Sequence, residues 1–516
     1  MNQVNNLAAL RTFGTLTDVV LVQGHTNPGD GGGGFFYYNS TSGLSDDNGA
    51  IISSTSTGFW LRQIDGYINV RFFGAFGHFA DYTAEIQSAI DFAYGNNVSN
   101  NLTTGNTLFF PCGNYLVDTL VLKRGVSLLG ESADTCVITA SSSGPTTDYM
   151  IKMDTGPIVW CNISNLSLTS QHPTKGCMHF EGTPPSSGPL VGGIWNSNFK
   201  NIWITSFVGH GIYLDGGTTS YDYPNQFLIF ENVVVTRTTD TSASLLLTGQ
   251  QGQITFLNCT FDGSSNNGAN VAITAPANYN TAVVSFINCT IQSSEYGISL
   301  DSVQNITIDN CWFENLDIAI KLSGTNSPCK SINIVNNRFA NASSYGGTSS
   351  TGRCIDSNDS EVNVLNNFAI VTDPSSFTAK FLLANSTNLG VHVFGNSYQA
   401  PNLGMTYGIM QYVQVQGTGP YFIDAENNRE VFIDLTTPPP GNVSIINSDI
   451  RASESLWVRA DQGTVTFEDT GNIFLTLRSS LTLNNGDAAL FTKIDNIVGP
   501  YSETYQLTTF ITATTP

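Results

Sequence analysis

The sequence predicts an all-β fold: a right-handed parallel β-helix solenoid with a small N-terminal β module, one capping helix and a C-terminal antiparallel β domain. Three observations carry this prediction. A six-residue phrase, apolar–x–Asn–x–x–apolar, returns nine times between Ile163 and Tyr398. A single convincing helical pattern lies ahead of the repeats. Turn formers are abundant and charges scarce, with 49 Gly and only 11% charged residues among 516. A repeat of this size marks a solenoid, whose core closes only when neighbouring coils stack.

The phrase places Asn at 165, 201, 232, 258, 288, 310, 336 and 366, and Gly395 stands in for Asn in the last copy. Successive Asn spacings are 36, 31, 26, 30, 22, 26 and 30 residues. Asn and Gly tolerate the left-handed backbone of a sharp corner, and the flanking residues are β-branched, aromatic or Cys, as strands require. Each phrase therefore reads as strand, tight bend, strand. A third strand follows most bends, as in Met178-His-Phe180, Gly211-Ile-Tyr-Leu214, Ser244-Leu-Leu-Leu247, Val271-Ala-Ile273, Gly297-Ile-Ser-Leu300 and Ala319-Ile-Lys-Leu322. Three short strands per turn, stacked about 4.8 Å apart, make a parallel β-helix. The residue after each corner runs Leu166, Ile202, Val233, Cys259, Cys289, Cys311, Asn337, Asn367, and this column is expected to face the core. Stacked corner amides would bond along the helix axis. A helical repeat fails, because almost no segment has 3.6 periodicity.

The remaining elements follow in order. Residues 1–66 form a separate β module, in which Asn27-Pro-Gly-Asp-Gly-Gly-Gly-Gly34 is a turn leading into Phe35-Phe-Tyr-Tyr38, followed by strands at Ala50–Ile52 and Gly58–Arg62. No helix start or Lys-Ser/Thr follows the glycines, so a phosphate cradle is disfavoured. The solenoid is expected over 67–437. It opens with a helix over 81–94, capped by Asp81, with Ala84, Ile86, Ala89, Ile90 and Ala93 as its apolar stripe and Gly95 as its stop. Such a helix would cover the bare edges of the first coil. Pro438-Pro-Pro-Gly441 marks a boundary, after which 438–516 reads as antiparallel strands forming an end cap or trimerisation domain.

A net charge of −21 argues against nucleic acid and anionic membranes as partners, and weakens the case for a polyanionic substrate. Nine Cys cannot all pair within the chain. With no CxxC or paired His spacing, no metal is expected; the cysteines read as free structural thiols from a reducing compartment. Met1-Asn-Gln-Val-Asn-Asn lacks a basic start and an apolar run, so no secretory signal is expected. No run of 18 apolar residues is present to span a membrane.

Ile68-Asn-Val-Arg-Phe-Phe-Gly-Ala-Phe-Gly77, then Asp81-Tyr-Thr-Ala-Glu-Ile-Gln-Ser-Ala-Ile90, Leu108-Phe-Phe-Pro-Cys-Gly-Asn-Tyr115 and Val126-Ser-Leu-Leu-Gly-Glu131 resemble the opening of pectate-lyase-like β-helix proteins. Residues 22–62, with Pro28-Gly-Asp-Gly-Gly-Gly-Gly-Phe35 and Trp60-Leu-Arg62, resemble the module that precedes this fold in bacteriophage tailspikes. Where the family usually has Gly-Asp-Gly-x-x-Asp-Asp-Thr, this chain has Gly77-His-Phe-Ala-Asp81-Tyr-Thr83, a departure that touches the cap. The resemblance implies a homotrimer that binds, and often cleaves, bacterial surface polysaccharide. It also implies attachment to a virion tail or baseplate protein through the N-terminal module, after assembly in a host cytoplasm.

Aligning the strands after each corner puts Glu181, Asp215, Thr248, Thr274, Asp301, Ser323 and Asp356 in one outward column. His179, Tyr213, Leu246, Ala272, Ser299 and Lys321 fill the column two residues earlier. Glu181 and Asp215 would stand on adjacent coils, roughly 4.8 Å apart at the backbone. One protonated and one ionised carboxyl at such a separation is the equipment of a retaining glycosidase. These two are the expected catalytic residues. His179, His210 and Tyr213 beside them, with Trp195, Tyr221 and Tyr223 on excursions over 182–198 and 216–225, are the expected sugar-binding residues. Asp301 with Asp356, and Lys321, are secondary candidates. No cofactor is expected for hydrolysis. The competing readings are a non-enzymatic adhesin or structural virion protein, and a lyase eliminating across a uronic acid with calcium.

Overall fold

The computed structural model describes residues 2–14, 19–40, 43–55, 57–99, 107–141, 149–154, 158–170, 172, 176–181, 193–217, 224–236, 242–263, 268–275, 283–340, 353–358 and 360–370. It also describes 380–385, 391–394, 396–399, 410–415, 421–424, 430–434, 443–446, 455–462, 465–468, 473–474, 480–483, 488–494 and 504–511. Two compact units divide the chain, Met1–Leu246 and Leu247–Pro516.

The first unit begins with a five-stranded sheet in the spatial order Asn2–Val4, Val20–Val22, Gly34–Asn39, Phe59–Arg62, Ile51–Ser53. The first pair is parallel and the others antiparallel. A short helix, Leu7–Arg11, adds Leu7 and Leu10 to a core of Val20, Val22, Phe36, Ile52 and Trp60. The glycine run is a turn, with Gly29 and Gly31 both at φ 82°. Asp30 within it organises the turn: its carboxylate accepts from the backbone N–H groups of His25 (2.9 Å), Thr26 (2.8 Å), Asn27 (2.9 Å) and Gly32 (2.8 Å). Arg62 is buried and donates to the carbonyls of Gly49, Gly33 and Gly32 at 2.9, 2.7 and 2.9 Å. Its guanidinium lies 4.5 Å from the Phe36 ring centroid and 4.3 Å from that of Phe72, which belongs to the 3₁₀ turn Val70–Phe73. Burial pulls Arg62 down to about 9, which leaves it charged at neutral pH.

The solenoid opens under the helix Thr83–Ser99. Asp81 caps it, accepting from the Thr83 N–H at 3.0 Å and from the Thr83 hydroxyl at 2.6 Å. Ile86, Ala89, Ile90 and Ala93 are fully buried, whereas Ala84 is exposed and its expected place in the stripe is taken by Tyr82. The helix runs past Gly95. A Cβ there would meet nothing within 4 Å, and a helical Gly costs only about 1 kcal/mol, too little to stop it. Gln87 covers the edge strand Leu120–Leu122 as a further strand would: its amide accepts from the Val121 N–H (2.9 Å) and donates to the Val121 carbonyl (3.3 Å). Lys123 bridges back to Asp91 at 2.8 Å.

Parallel coils then stack in register, for example Ile163–Ser170 on Ile194–Thr205 and the latter on Gln226–Thr236. The corners are where the sequence places them. Asn165, Asn201 and Asn232 have φ of 56°, 53° and 53°, and their amides bond coil to coil at 3.0 and 3.2 Å. Leu166, Ile202 and Val233 are buried behind them, and Phe199 stacks on Phe230 at 4.4 Å.

The second unit repeats this plan. Asn258, Asn288, Asn310, Asn336 and Asn366 all have φ between 52° and 56°, and the Asn310 amide donates to Asn288 at 2.6 Å. Gly395 lies outside the described residues. Cys259, Cys289 and Cys311 form the inward column, and it continues as an amide ladder. Asn337 Oδ1 accepts from the Cys311 N–H, Asn367 Oδ1 from the Asn337 N–H, and Asn396 Oδ1 from the Asn367 N–H, each at 2.8 Å. Each of these amides donates to a carbonyl of the preceding coil, of Ile308, Ile334 and Val364 in turn. All nine cysteines are free thiols, eight of them buried. Burial pushes Cys161 up to about 11 and Cys354 up to about 12.

The expected break at 438 differs from the observed pairing. Tyr421–Asp424 pairs in parallel with Val443–Ile446, and Glu430–Asp434 with Ser455–Gln462, so coil-like pairing continues beyond the proline run. Antiparallel pairing begins with Ser455–Gln462 against Ala488–Ile494, which pairs in turn with Thr504–Ile511. Within the stretch expected to be antiparallel, the strand Ile473–Phe474 pairs in parallel with Thr504–Ile511.

Candidate functional site

Two short strands of the first unit carry the expected acids. Gly176–Glu181 and Ile212–Gly216 pair in parallel, and their register sets His179 opposite Tyr213 and Glu181 opposite Asp215. Inward Met178, Phe180, Ile212 and Leu214 are fully buried. The period of two then turns His179, Glu181, Tyr213 and Asp215 outward. Glu181 is exposed and Asp215 half-buried.

Asp215 is held from two sides. Its Oδ2 accepts from the Tyr213 hydroxyl at 3.1 Å, and its Oδ1 from the Gly217 N–H at 2.9 Å. The Tyr213 ring lies flat on His179, with centroids 4.4 Å apart and planes 3° apart. Tyr149 flanks the stacked pair, 4.9 Å from His179 and 6.2 Å from Tyr213. Lys152 is in register with His179 on the same preceding strand, Tyr149–Met153. Tyr149 and Lys152 therefore belong to this cluster, although neither stood in the aligned columns, because their strand precedes the first copy of the phrase. His210 stands 5.5 Å from Tyr213, with its Nδ1–H donating to the Ala243 carbonyl at 2.7 Å. Stacking along the solenoid axis spends one face of His179 and one of Tyr213 on each other, and the His179 Nε2 is buried.

Trp195 is positioned differently from its expected loop. It sits near the start of the strand Ile194–Thr205, and its indole N–H donates to the Pro224 carbonyl at 2.8 Å. Fully buried Asn225 ties the same region together, accepting from the Ile194 N–H at 3.1 Å and donating to the Asp215 carbonyl at 3.3 Å. The strand carrying Trp195 and the strand carrying Asp215 are thus linked through one amide. Tyr221 and Tyr223 lie outside the described residues.

In the second unit, Asp301 pairs with Thr274 on one side and Ser323 on the other, as the alignment requires. Asp356 does not join that column. It is in register with Lys321, so Asp301 and Asp356 are offset along the strand as well as separated by coils. Asp301 Oδ1 accepts from the adjacent Ser302 hydroxyl (3.0 Å) and from the Thr325 N–H just past the paired strand (2.9 Å). Lys321 Nζ lies 4.4 Å from the centroid of the Tyr296 ring. Burial, then neighbouring acids, push the Tyr296 hydroxyl up to about 12. Among the described residues no group of three or more His, Cys, Asp or Glu is placed to hold a metal.

Three family models match successive parts of the chain. Residues 3–65 match the small four-stranded β-sheet domain of phage tail proteins. Residues 67–208 match the pectate-lyase-like domain of rhamnogalacturonase A and epimerases, and residues 187–369 the right-handed β-helix region. No curated protein matches in sequence. Among solved structures, tailspike protein 2 of the Escherichia coli O157:H7 bacteriophage CAB120 superimposes with a TM-score of 0.56 at 14% identity, covering 98% of this chain and 71% of that one. Tailspike gp42 of Acinetobacter phage vb_AbaP_AS12 gives 0.54 at 14%, covering 98% and 91%. Tailspike gp49 of the Acinetobacter baumannii bacteriophage Fri1, described as a capsular polysaccharide depolymerase, gives 0.53 at 15%, covering 98% and 92%. At such identities the likeness is one of fold: the chain has the right-handed parallel β-helix of pectate-lyase-like proteins and of these tailspikes, behind an N-terminal sheet of the phage-tail type.

Proposed function

We propose that this chain is a tailspike-type receptor-binding protein that binds and depolymerises a bacterial surface polysaccharide by carboxylate-assisted glycoside hydrolysis. The observation that carries this reading is the register of Glu181 with Asp215 on adjacent coils, with Asp215 fixed by Tyr213 and Gly217. Two carboxyl groups about one strand spacing apart suit the retaining route. Asp215, whose two oxygens each accept a hydrogen bond, is the oriented nucleophile. Exposed Glu181 is the acid that protonates the leaving oxygen, and then the base that activates water. Lys152, His179 and Tyr213 line the approach as polar contacts for sugar hydroxyls. The N-terminal sheet would attach the protein to a virion tail or baseplate partner, and the working form would be a homotrimer in the virion tail, with light scattering as the test of assembly. The depolymerase described for gp49 supports the substrate class.

Purified protein incubated with bacterial capsules and lipopolysaccharides should release new reducing ends. Glu181→Gln and Asp215→Asn should each lower that rate at least about 100-fold while glycan binding persists. Full activity in either variant removes the site. An absorbance rise from unsaturated uronate in place of hydrolysis would identify a lyase, and binding without any change in polymer size an adhesin.

A further inference from the structure

On the second unit, Trp312, Arg338 and Phe368 occupy one register position on three successive strands, Trp312–Ser323, Arg338–Ala340 and Phe368–Ile370. The guanidinium carbon of Arg338 lies 5.5 Å from the Trp312 ring centroid and 5.0 Å from that of Phe368. Arg338 is exposed, while both rings are half-buried. Inward Phe339, the next residue, is buried and stacks on Phe313 at 5.0 Å, which fixes the strand beneath.

A guanidinium held between two aromatic faces keeps its plane and loses hydration from both sides, but its N–H edges stay open. Those edges match a carboxylate in a planar, two-point contact. Glu314, two residues from Trp312 on the same strand, accepts the Trp312 indole N–H at 3.1 Å. Among the described residues no carboxylate forms an ion pair with Arg338. Among the described residues Arg338 is thus an oriented, exposed cation with no acid paired to it, in a chain with 40 acids and 19 Lys and Arg.

We propose that Arg338, clamped by Trp312 and Phe368, is a subsite for the carboxylate of an acidic sugar unit. The inference rests on the polysaccharide reading only for its ligand class and needs neither Glu181 nor Asp215. The overall charge of −21 repels a polyanion at a distance, but screening over about 8 Å at physiological salt confines that repulsion, and the contact at Arg338 is short-ranged. The site is a binding site, with no role in bond cleavage.

Glucuronate, glucuronamide and glucose, titrated into the full chain and followed by NMR, test the assignment. Glucuronate should bind saturably, with glucuronamide and glucose at least about tenfold weaker. Arg338→Gln should lose that preference, Arg338→Lys should recover part of it, and Glu181→Gln should leave it intact. Melting curves of the variants report whether they fold. Equal binding of the acid and its amide, or glucuronate binding unchanged in folded Arg338→Gln, overturns the proposal. Because the readout is binding, loss of hydrolysis in Glu181→Gln bears on the acid pair and leaves this subsite standing.

Discussion

Tyr213 couples the aromatic stack to the acid pair, because its ring rests on His179 and its hydroxyl on Asp215. Removing that hydroxyl takes one hydrogen bond from the carboxylate proposed as nucleophile, worth about 0.5–1.5 kcal/mol. Tyr213→Phe should therefore lower kcat roughly three- to tenfold with KM little changed, since the loss falls on an orienting contact. A Tyr213→Phe enzyme with unaltered kcat would dissociate Tyr213 from the chemistry. The Glu181–Asp215 pairing was legible because both residues follow an Asn corner by a countable strand. Tyr149 and Lys152 were not, since no corner phrase precedes them to set a register. Asp356 was misplaced for a related reason: its strand is reached across residues 341–352, and counting through such a stretch cannot fix a register to within two positions. The face-on geometry of His179 and Tyr213 was equally hidden, because a column alignment gives neighbours and no ring planes.

Among elements, the Asn corner decides most. At Asn288 the backbone has φ 54°, and the side chain accepts from Asn310 at 2.6 Å. Alanine would incur the left-handed penalty of about 1–2 kcal/mol and also lose the coil-to-coil amide bond. Glycine would lose the amide bond but keep the backbone freedom. Urea denaturation should rank stability wild type above Asn288→Gly above Asn288→Ala, and the reverse order for the two variants would contradict the corner account. These bends were legible because conformation and residue type coincide at every described copy. The same left-handed geometry at Trp160 (φ 56°), Phe227 (φ 55°) and Val283 (φ 53°) was not, since nothing in an aromatic or β-branched residue announces it. The helix start was legible from Asp81 and Thr83, while its end was misjudged where Gly95 lies in open space.

At the scale of the whole molecule, the N-terminal sheet depends on ionised Asp30. Burial alone would raise its carboxyl, but the backbone N–H groups of Asn27, Gly32, Thr26 and His25 outweigh that and hold it below the ordinary 3.8. A carboxyl depressed in the folded state contributes stability that is complete above its unfolded value and lost as pH falls through the folded one. Unfolding of the N-terminal sheet should therefore steepen below about pH 4, and Asp30→Asn should flatten that acid limb in a circular dichroism titration. The parallel pairings across the proline run at 438–440 were not legible, because proline marks a break in the chain and says nothing about the pairing on either side. The switch from thiol to amide along the interior column has a further consequence. Up to Cys289 the column is filled by side chains that ask little of their neighbours, so coils there are interchangeable in principle. From Cys311 onward each rung supplies an acceptor to the rung before it. A single coil grafted into that stretch would orphan a polar atom in the dry interior, so evolution or an engineer must move those rungs together or not at all.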